Sequence, residues 1–148
     1  SPTRRSSDLI GKNCTVQQIE DGLERLCSVG IYPTTTIMVG QLGETLEDAA
    51  ASIVLMQRAV RRDPSINFAF TLTTPFPGST LYDYIFQNNL LPDDQAFYDR
   101  YFSSVGDFKQ VVNLSAMSEV EVVAAYQELN LVYAEEKQRH ACTTVGTA

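Results

Sequence analysis

Hydrophobic and polar residues follow two spacings along this chain, one typical of strands and one typical of helices. Ile31–Val39 and Ile66–Leu72 are rich in Thr, Ile, Val and Phe, and each precedes a turn that contains glycine. Such residues fit largely buried strands. Around these segments, apolar residues recur at about every third or fourth position, as on one face of a helix. Because each strand is followed by a turn and a helix, the pattern predicts an α/β fold with two parallel strands and right-handed crossovers.

Capping residues set the expected helix ends. Thr15 with Gln18 and Ser118 with Glu121 match capping boxes. Gly30 fits the residue that follows a helix C-terminus. The helices predicted in this way run from the Thr15 cap to Gly30, over Leu46–Arg61 after a Thr45 cap, over about Leu81–Asn88, over about Pro92–Phe102, and from the Ser118 cap to about Arg139.

Composition and charge narrow the function classes. The chain has 148 residues, a formal net charge of −7 and 44% hydrophobic residues, an ordinary content for a globular protein. The acidic balance argues against a nucleic-acid footprint. No apolar run approaches the ~20 residues of a transmembrane helix. Three cysteines without a secretory segment indicate a reducing, cytoplasmic compartment.

The charged and titratable residues have simple local explanations. His140 is the only histidine of the chain, so a Ser-His-Asp or Cys-His catalytic set is not expected. The second predicted helix ends with Arg58, Arg61 and Arg62, whose positive charges stabilise a helix C-terminus. A solvated last turn is expected at the end of the final helix, formed by Glu135, Glu136, Lys137 and Arg139.

Two turns at the ends of the predicted strands carry a family resemblance. Gly40-Gln-Leu-Gly-Glu-Thr45 resembles the Gly-x-Pro-Gly-Glu-Thr turn of radical S-adenosylmethionine enzymes, with Leu42 in place of the usual proline. Thr74-Pro-Phe-Pro-Gly-Ser-Thr-Leu-Tyr82 resembles the Pro-x-Pro-Gly-Thr-x-Leu-Tyr segment after their next strand. Lys12-Asn-Cys-Thr-Val-Gln-Gln-Ile19 is similar to the stretch that opens their preceding helix. Order and spacing match from Ile10 to Asn88, most closely in the subgroup with an upstream cobalamin-binding domain, typified by the anaerobic magnesium-protoporphyrin ester cyclase group.

The resemblance implies a partial (β/α) barrel of the radical S-adenosylmethionine type, followed by a helical C-terminal extension. It implies a parent enzyme that uses S-adenosylmethionine and a [4Fe–4S] cluster, with cobalamin as a further cofactor of the subgroup. Together these would form a radical that abstracts hydrogen from an unreactive carbon of a small-molecule substrate.

The same resemblance locates candidate site residues in this chain. A wall on the adenine side of the cofactor and a rim on the substrate side are expected, formed by Met38, Gly40, Gly43, Glu44, Pro75, Pro77 and Gly78. Glu44 would act either as a polar contact or as a charge at a helix N-terminus. Pro75 and Pro77 would either contact ligand or only stiffen their loop.

The cysteines do not match the cluster motif of that family. Those enzymes hold the cluster with Cys-x-x-x-Cys-x-x-Cys, whereas this chain has Cys14, Cys27 and Cys142. The Gly-Glu-Ser-Gly-type motif that meets the methionine part of the cofactor is also absent from the sequence. The chain is therefore interpreted as the C-terminal part of a radical enzyme, inactive and without bound cofactor by itself, whose partner is the missing N-terminal half of the barrel.

The ends of the chain complete the predicted organisation. Residues 1–9 resemble a translated sequencing-library adapter, with a basic N-terminal arm as the alternative. Residues 10–90 are predicted to form part of the barrel, 91–140 the helical extension with an extended lid or edge segment at Gln110–Leu114, and 141–148 a tail without fixed structure. Half a barrel would leave a free edge on each strand, which favours association. The competing hypothesis is a non-catalytic α/β module that binds a partner or another barrel half.

Overall fold

The structure is a computed structural model that describes residues 14–103 and 110–145. In these ranges the helices and strands are α1 Val16–Ser28, β1 Thr34–Val39, α2 Leu46–Arg62, β2 Asn67–Leu72, α3 Thr80–Gln87, α4 Asp94–Ser103 and α5 Glu119–Val145. β1 and β2 pair in parallel, with Thr34 opposite Asn67 and Val39 opposite Leu72. The predicted α/β class and parallel pair are confirmed, while two strands do not by themselves define a barrel. Residues 1–9, interpreted as an adapter or a basic arm, lie outside the described residues.

Both ends of α1 follow from local chemistry. Thr15 and Gln18 form the predicted capping box. Gly30 takes a φ of +79°, which a glycine adopts without steric cost. That turn lets the Ile31 N–H donate to the Leu26 carbonyl at 2.9 Å, so the last carbonyls of the helix are satisfied.

The predicted strand Ile31–Val39 is wrong at its start and in its burial. Ile31 belongs to the turn that ends α1, and β1 begins only at Thr34. The strand is also not buried on both sides, because Thr34 and Thr36 are exposed. The second predicted strand, Ile66–Leu72, agrees with β2 to within one residue.

Each strand buries one face only. The strand register places alternate residues on opposite sides of the sheet. The buried side, here called the covered face, consists of Thr35, Ile37, Val39, Phe68, Phe70 and Leu72. The other side, here called the open face, consists of Thr34, Thr36, Met38, Asn67, Ala69 and Thr71.

The covered face packs against three helices. α2 contributes Met56 and Val60, and α5 contributes Val122 and Leu129, all fully buried. α1 adds Leu23 to the same cluster. The helical spacing of Val122, Ala125 and Leu129 thus places one face of α5 in the layer that covers the sheet.

Two predictions about the C-terminal half of α5 are wrong. The helix continues to Val145, beyond the predicted end at Arg139 and into the range 141–148 that was expected to lack fixed structure. Its charged residues are not simply solvated, because the Glu136 side chain is only 3% exposed and is ion-paired with Arg61. This ion pair joins α2 to α5.

A second, smaller core lies under α3 and α4. Ile85 and Phe97 are fully buried there. The Tyr82 hydroxyl donates to the Asp94 carboxylate at 2.7 Å, and burial with this carboxylate raises the pKa of Tyr82 to about 12. These contacts join the two short helices to each other, and Leu114 from the following segment packs with them.

Candidate functional site

The two motif turns meet at the carboxyl ends of the strands. The Thr73 N–H donates to the Val39 carbonyl at 2.8 Å, which continues the strand ladder one step beyond β2. Residues 40–44 and 73–78 therefore lie side by side and form one rim, here called the carboxyl rim. In sheets of parallel strands, this edge is where ligands bind.

The first turn is held by its own glutamate. Glu44 accepts hydrogen bonds from the Gly40 N–H at 2.6 Å and the Gln41 N–H at 2.8 Å. Gly40 and Gly43 have φ values of +84° and +71°, so the turn needs both glycines. Glu44 is 9% exposed, and this burial raises the pKa of its carboxyl, while the two backbone N–H groups act in the opposite direction. The carboxylate thus occupies the backbone donors that the sequence alone would leave available to a ligand.

A segment of residues 110–117, here called the strap, packs over this turn. The Gly43 N–H donates to the Leu114 carbonyl, and the Ala116 N–H donates to the Glu44 carbonyl, both at 2.9 Å. A Cβ atom at Gly40 would lie 3.4 Å from a methyl group of Val122. The predicted lid or edge segment is therefore a loop bonded to the turn, and it forms no strand in its described residues.

Thr73 is the residue of this rim that sequence reasoning missed. It is 4% exposed, and its hydroxyl has no hydrogen-bond partner among the described residues. A buried hydroxyl without a partner costs about 1–3 kcal/mol. Its place directly after a strand was visible in the sequence, but only packing shows that the hydroxyl is buried and unmatched.

The second loop presents both buried and exposed groups. Pro75 is fully buried, whereas Pro77 and Gly78 are exposed. Phe76 is 54% exposed and makes an edge-to-face contact with Tyr101, with ring centroids 5.8 Å apart. The burial of Pro75 fits a role in stiffening the loop, while Phe76, Pro77 and Gly78 are accessible at the rim.

The sequence-predicted residues therefore separate into three settings. Gly40, Gly43 and Glu44 form the closed turn, and the proline loop lies beside it. Met38 is on the open face, half-buried and one residue before the rim-proximal Val39. All of these positions adjoin the carboxyl ends of the strands, so the structure brings the predicted set to one end of the sheet.

Two thiols lie among the side chains that the structure describes. Cys14 is exposed. Cys27 is partly buried near Ser65 at the opposite end of the strands, and burial raises the pKa of its thiol. Among residues 14–103 and 110–145, no group of three His, Cys, Asp or Glu side chains is arranged to hold a metal ion.

A groove of about 540 Å³ lies at that opposite end, between α1 and α2. Ion pairs border it, with Glu20 and Arg58 joined at 2.7 Å and Glu24 paired to Arg62. The three arginines predicted to stabilise the end of α2 thus also bind carboxylates of neighbouring helices. Nothing links this groove to the motif turns, so it is not the candidate site.

Comparison with curated proteins gives one informative similarity. The chain is 33% identical over 92 residues to an uncharacterized methyltransferase of Pyrococcus horikoshii. The match covers 62% of this chain but only 19% of that protein, so the chain spans about a fifth of the relative's length. No family model and no solved structure matches the chain. Within the part of the chain that the structure describes, no helix is long and apolar enough to cross a membrane.

Proposed function

We propose that this chain is the C-terminal part of the radical S-adenosylmethionine core of a longer enzyme. The observation that carries the proposal is the carboxyl rim, where both motif turns adjoin the buried hydroxyl of Thr73, which has no partner in the part of the chain that the structure describes. A folded chain gains nothing from such a hydroxyl, whereas a ligand that supplies its partner removes the cost. The rim thus has the character of one wall of a site.

The similarity to a methyltransferase supports the cofactor part of this proposal. S-adenosylmethionine is the common methyl donor of such enzymes, and a radical enzyme uses the same molecule as its radical source. The relative is also much longer than the matched segment. A longer parent would supply the remaining wall, the cluster and, in the cobalamin-linked subgroup, the corrinoid.

The proposed roles rest on the family resemblance. Met38 and Gly43 would contact the adenine side of the cofactor through side-chain and Cα surfaces, because the Gly43 N–H is already bonded. Gly40, which is buried beside Val122, would shape the turn behind them. Glu44 would hold the turn in shape. Thr73 would contribute a hydrogen bond.

The second loop would form the substrate-side rim. Pro77 and Gly78 are exposed where Phe76 is also accessible, and Pro75 would fix the loop from below. The bound cofactor would supply the radical, while these residues would orient it and exclude water.

The cluster does not fit the residues of this chain. The spacing of Cys14, Cys27 and Cys142 differs from the cluster motif of the family, and Cys27 lies beside Ser65, before β2 rather than after it. We therefore assign no residue here to iron, and we propose that the chain by itself is inactive.

The test compares this chain with the reading frame of its parent gene. Both proteins would be reconstituted anaerobically with iron and sulfide and assayed for cleavage of S-adenosylmethionine. The proposal predicts thiolate-to-iron absorption and 5′-deoxyadenosine from the longer protein, and neither from the 148-residue chain. A parent without a cysteine triad, or without cleavage, would overturn the enzyme assignment. Cleavage by the short chain would overturn its assignment as an inactive part.

A non-catalytic α/β module is the second candidate. It is favoured by the satisfied turn, in which Gly40, Gln41 and Gly43 all donate their N–H groups within the protein. Such a module requires no ligand at the rim. If the wild-type and Thr73→Val parent proteins bind S-adenosylmethionine with equal affinity, that result would favour a rim without a ligand.

A further inference from the structure

We propose that Leu42 is a positioning residue of the carboxyl rim, through which the second core sets the shape of the turn at residues 40–44. This role rests on the proposed function, because the turn would be held in shape for a cofactor. The effect on the turn itself needs no cofactor, so the 148-residue chain is sufficient to test it.

The motif turn contains a β-turn with one position that the turn itself does not fix. The Glu44 N–H donates to the Gln41 carbonyl at 3.0 Å, and Gly43 has a φ of +71°. A positive φ at the third residue is typical of a type II turn, whose second residue is often proline because the ring fixes φ. Leu42 is at this second position, where the turn of radical S-adenosylmethionine enzymes has proline. Leucine has no ring, so its torsion has to be fixed by contacts.

The side chain of Leu42 provides such a contact. It is half-buried and packs against the second core, which consists of residues from α3, α4 and the strap. Among the described residues, none accepts a hydrogen bond from the Leu42 N–H. The packing of its side chain is therefore what ties this residue to the rest of the protein.

The strap connects the same core to the next residue of the turn. The Leu114 carbonyl accepts the Gly43 N–H at 2.9 Å, while the Leu114 side chain is buried in the second core. Val111 is fully buried there too, and its carbonyl accepts a hydrogen bond from Arg100 of α4 at 3.2 Å. Leu42 and Gly43 are thus held by one cluster, the first through its side chain and the second through its backbone.

The strap is itself stiffened by internal hydrogen bonds. The Asn113 side chain accepts the Ser115 N–H at 3.0 Å and donates to the Met117 carbonyl at 2.5 Å. The Ala116 N–H then donates to the Glu44 carbonyl. The support on which the turn rests therefore has a defined shape of its own.

Loss of the Leu42 side chain should loosen the turn from this support. With alanine at position 42, neither a ring nor a packed side chain would fix φ, and Gly43 beside it would sample more positions. A binding site requires that its residues be held by the packing of their neighbours. Leu42 would thus act on the cofactor through Gly43 and without touching it.

Hydrogen exchange of the 148-residue chain tests the role of Leu42 in the turn. Leu42→Ala should speed exchange of the Gln41 and Gly43 amides roughly tenfold, because the turn opens more often. Leu42→Pro should protect both amides as well as the wild type does, because the proline ring fixes the torsion without help from the core. Unchanged exchange in Leu42→Ala, or equally fast exchange in Leu42→Pro, would overturn the proposal.

Phe86→Leu provides a matched control for lost packing. Phe86 lies on α3 and is half-buried against the same core, and its replacement by leucine removes three carbon atoms, as Leu42→Ala does. The Gln41 and Gly43 amides should change their exchange by less than about twofold in this variant. A tenfold increase there would show that any weakening of the second core loosens the turn, and would overturn a specific role of Leu42.

Binding of S-adenosylmethionine to the longer parent links the turn to the proposed site. Leu42→Ala should weaken binding roughly fivefold, whereas Leu42→Pro and Phe86→Leu should stay within about twofold of the wild type. Equal affinity of Leu42→Ala and wild type, in a parent that binds the cofactor, would overturn the positioning role. A parent that binds no S-adenosylmethionine would overturn the proposed function instead, and hydrogen exchange would still decide whether Leu42 holds the turn.

Discussion

The covered and open faces of the same two strands differ most clearly in β2, where exposed and buried residues alternate. Aromatic and branched apolar residues make up most of the covered face, and helices bury them. Thr34, Thr36, Asn67 and Thr71 make most of the open face polar, with Met38 as its largest apolar residue. The open face therefore does not have the composition of a hydrophobic core that lacks its covering layer. It has the composition of a surface that faces water or a ligand, as one wall of a site requires.

This difference separates the residues that stabilise the sheet from those that the packing leaves exposed. The covered face, α2 and α5 hold the chain together, and the sequence periodicity of those elements reflects that task. The open face contributes little packing, so its residues are available for another role, whereas the carboxyl rim buries Glu44, Thr73 and Pro75. Substitutions on the two faces should accordingly have opposite consequences.

Phe70→Ala on the covered face should cause the largest loss. Phe70 is 8% exposed and packs against Tyr133, so removing its ring should cost about 3–5 kcal/mol of unfolding free energy. Thr71→Ala on the open face is the neighbouring control and should change it by less than about 0.5 kcal/mol. Urea unfolding measures both. Equal losses would mean that the open face is packed as tightly as the covered one.

Glu136→Gln tests the ion pair between Glu136 and Arg61, which joins α5 to α2 on the covered face. Hydrogen bonding to Arg61 lowers the pKa of Glu136, and Gln57 donates to the same carboxylate at 3.1 Å. Losing the charge should cost about 1–3 kcal/mol at neutral pH.

The pH dependence of this variant has a definite sign. A carboxylate with a lowered pKa in the folded state contributes its full stabilisation above its unfolded pKa of about 4.3. That contribution is lost as the pH falls through the folded-state pKa of Glu136. The free-energy difference between wild type and Glu136→Gln should therefore shrink on acidification, and a constant difference across that range would contradict an ion-pair role.

Glu44→Gln should lower the free energy of unfolding by a smaller amount, about 1 kcal/mol or less. An amide oxygen can still accept the hydrogen bonds from the Gly40 and Gln41 N–H groups. Burial raises the pKa of Glu44, so its favourable contribution is complete below the unfolded pKa and is lost as pH rises through the folded pKa. Wild type should therefore weaken relative to Glu44→Gln as pH rises. Titration monitored by thermal unfolding checks this sign, which is opposite to that of Glu136.

Local signals in the sequence anticipate much of this fold. The capping boxes at Thr15 and Thr45 and the positive φ of Gly30 depend on neighbouring residues, so reading them needs no tertiary information. The start of β1 differed because the turn after α1 uses the Ile31 N–H. The turn that ends α1 therefore includes Ile31, a residue that the strand pattern had assigned to β1.

Long-range contacts account for what the sequence did not predict. Glu136 meets Arg61 from a different helix, and Lys137 reaches carbonyls at the edge of β2. Neither contact has a signature in residue spacing. The proposed cofactor roles of Met38, Gly40, Gly43 and Glu44 remain predictions, whereas the burial of Thr73 is visible only in the packed structure.

Thr73→Val provides the most direct measurement of whether the carboxyl rim is a ligand site. Thr73 continues the row of the open face, yet it is buried, and its hydroxyl has no partner within residues 14–103 and 110–145. Valine has nearly the same shape and removes that group. The account predicts that the unfolding free energy of the 148-residue chain rises by up to about 1 kcal/mol, while S-adenosylmethionine binds the longer protein several-fold more weakly. A destabilised chain together with unchanged affinity would contradict it.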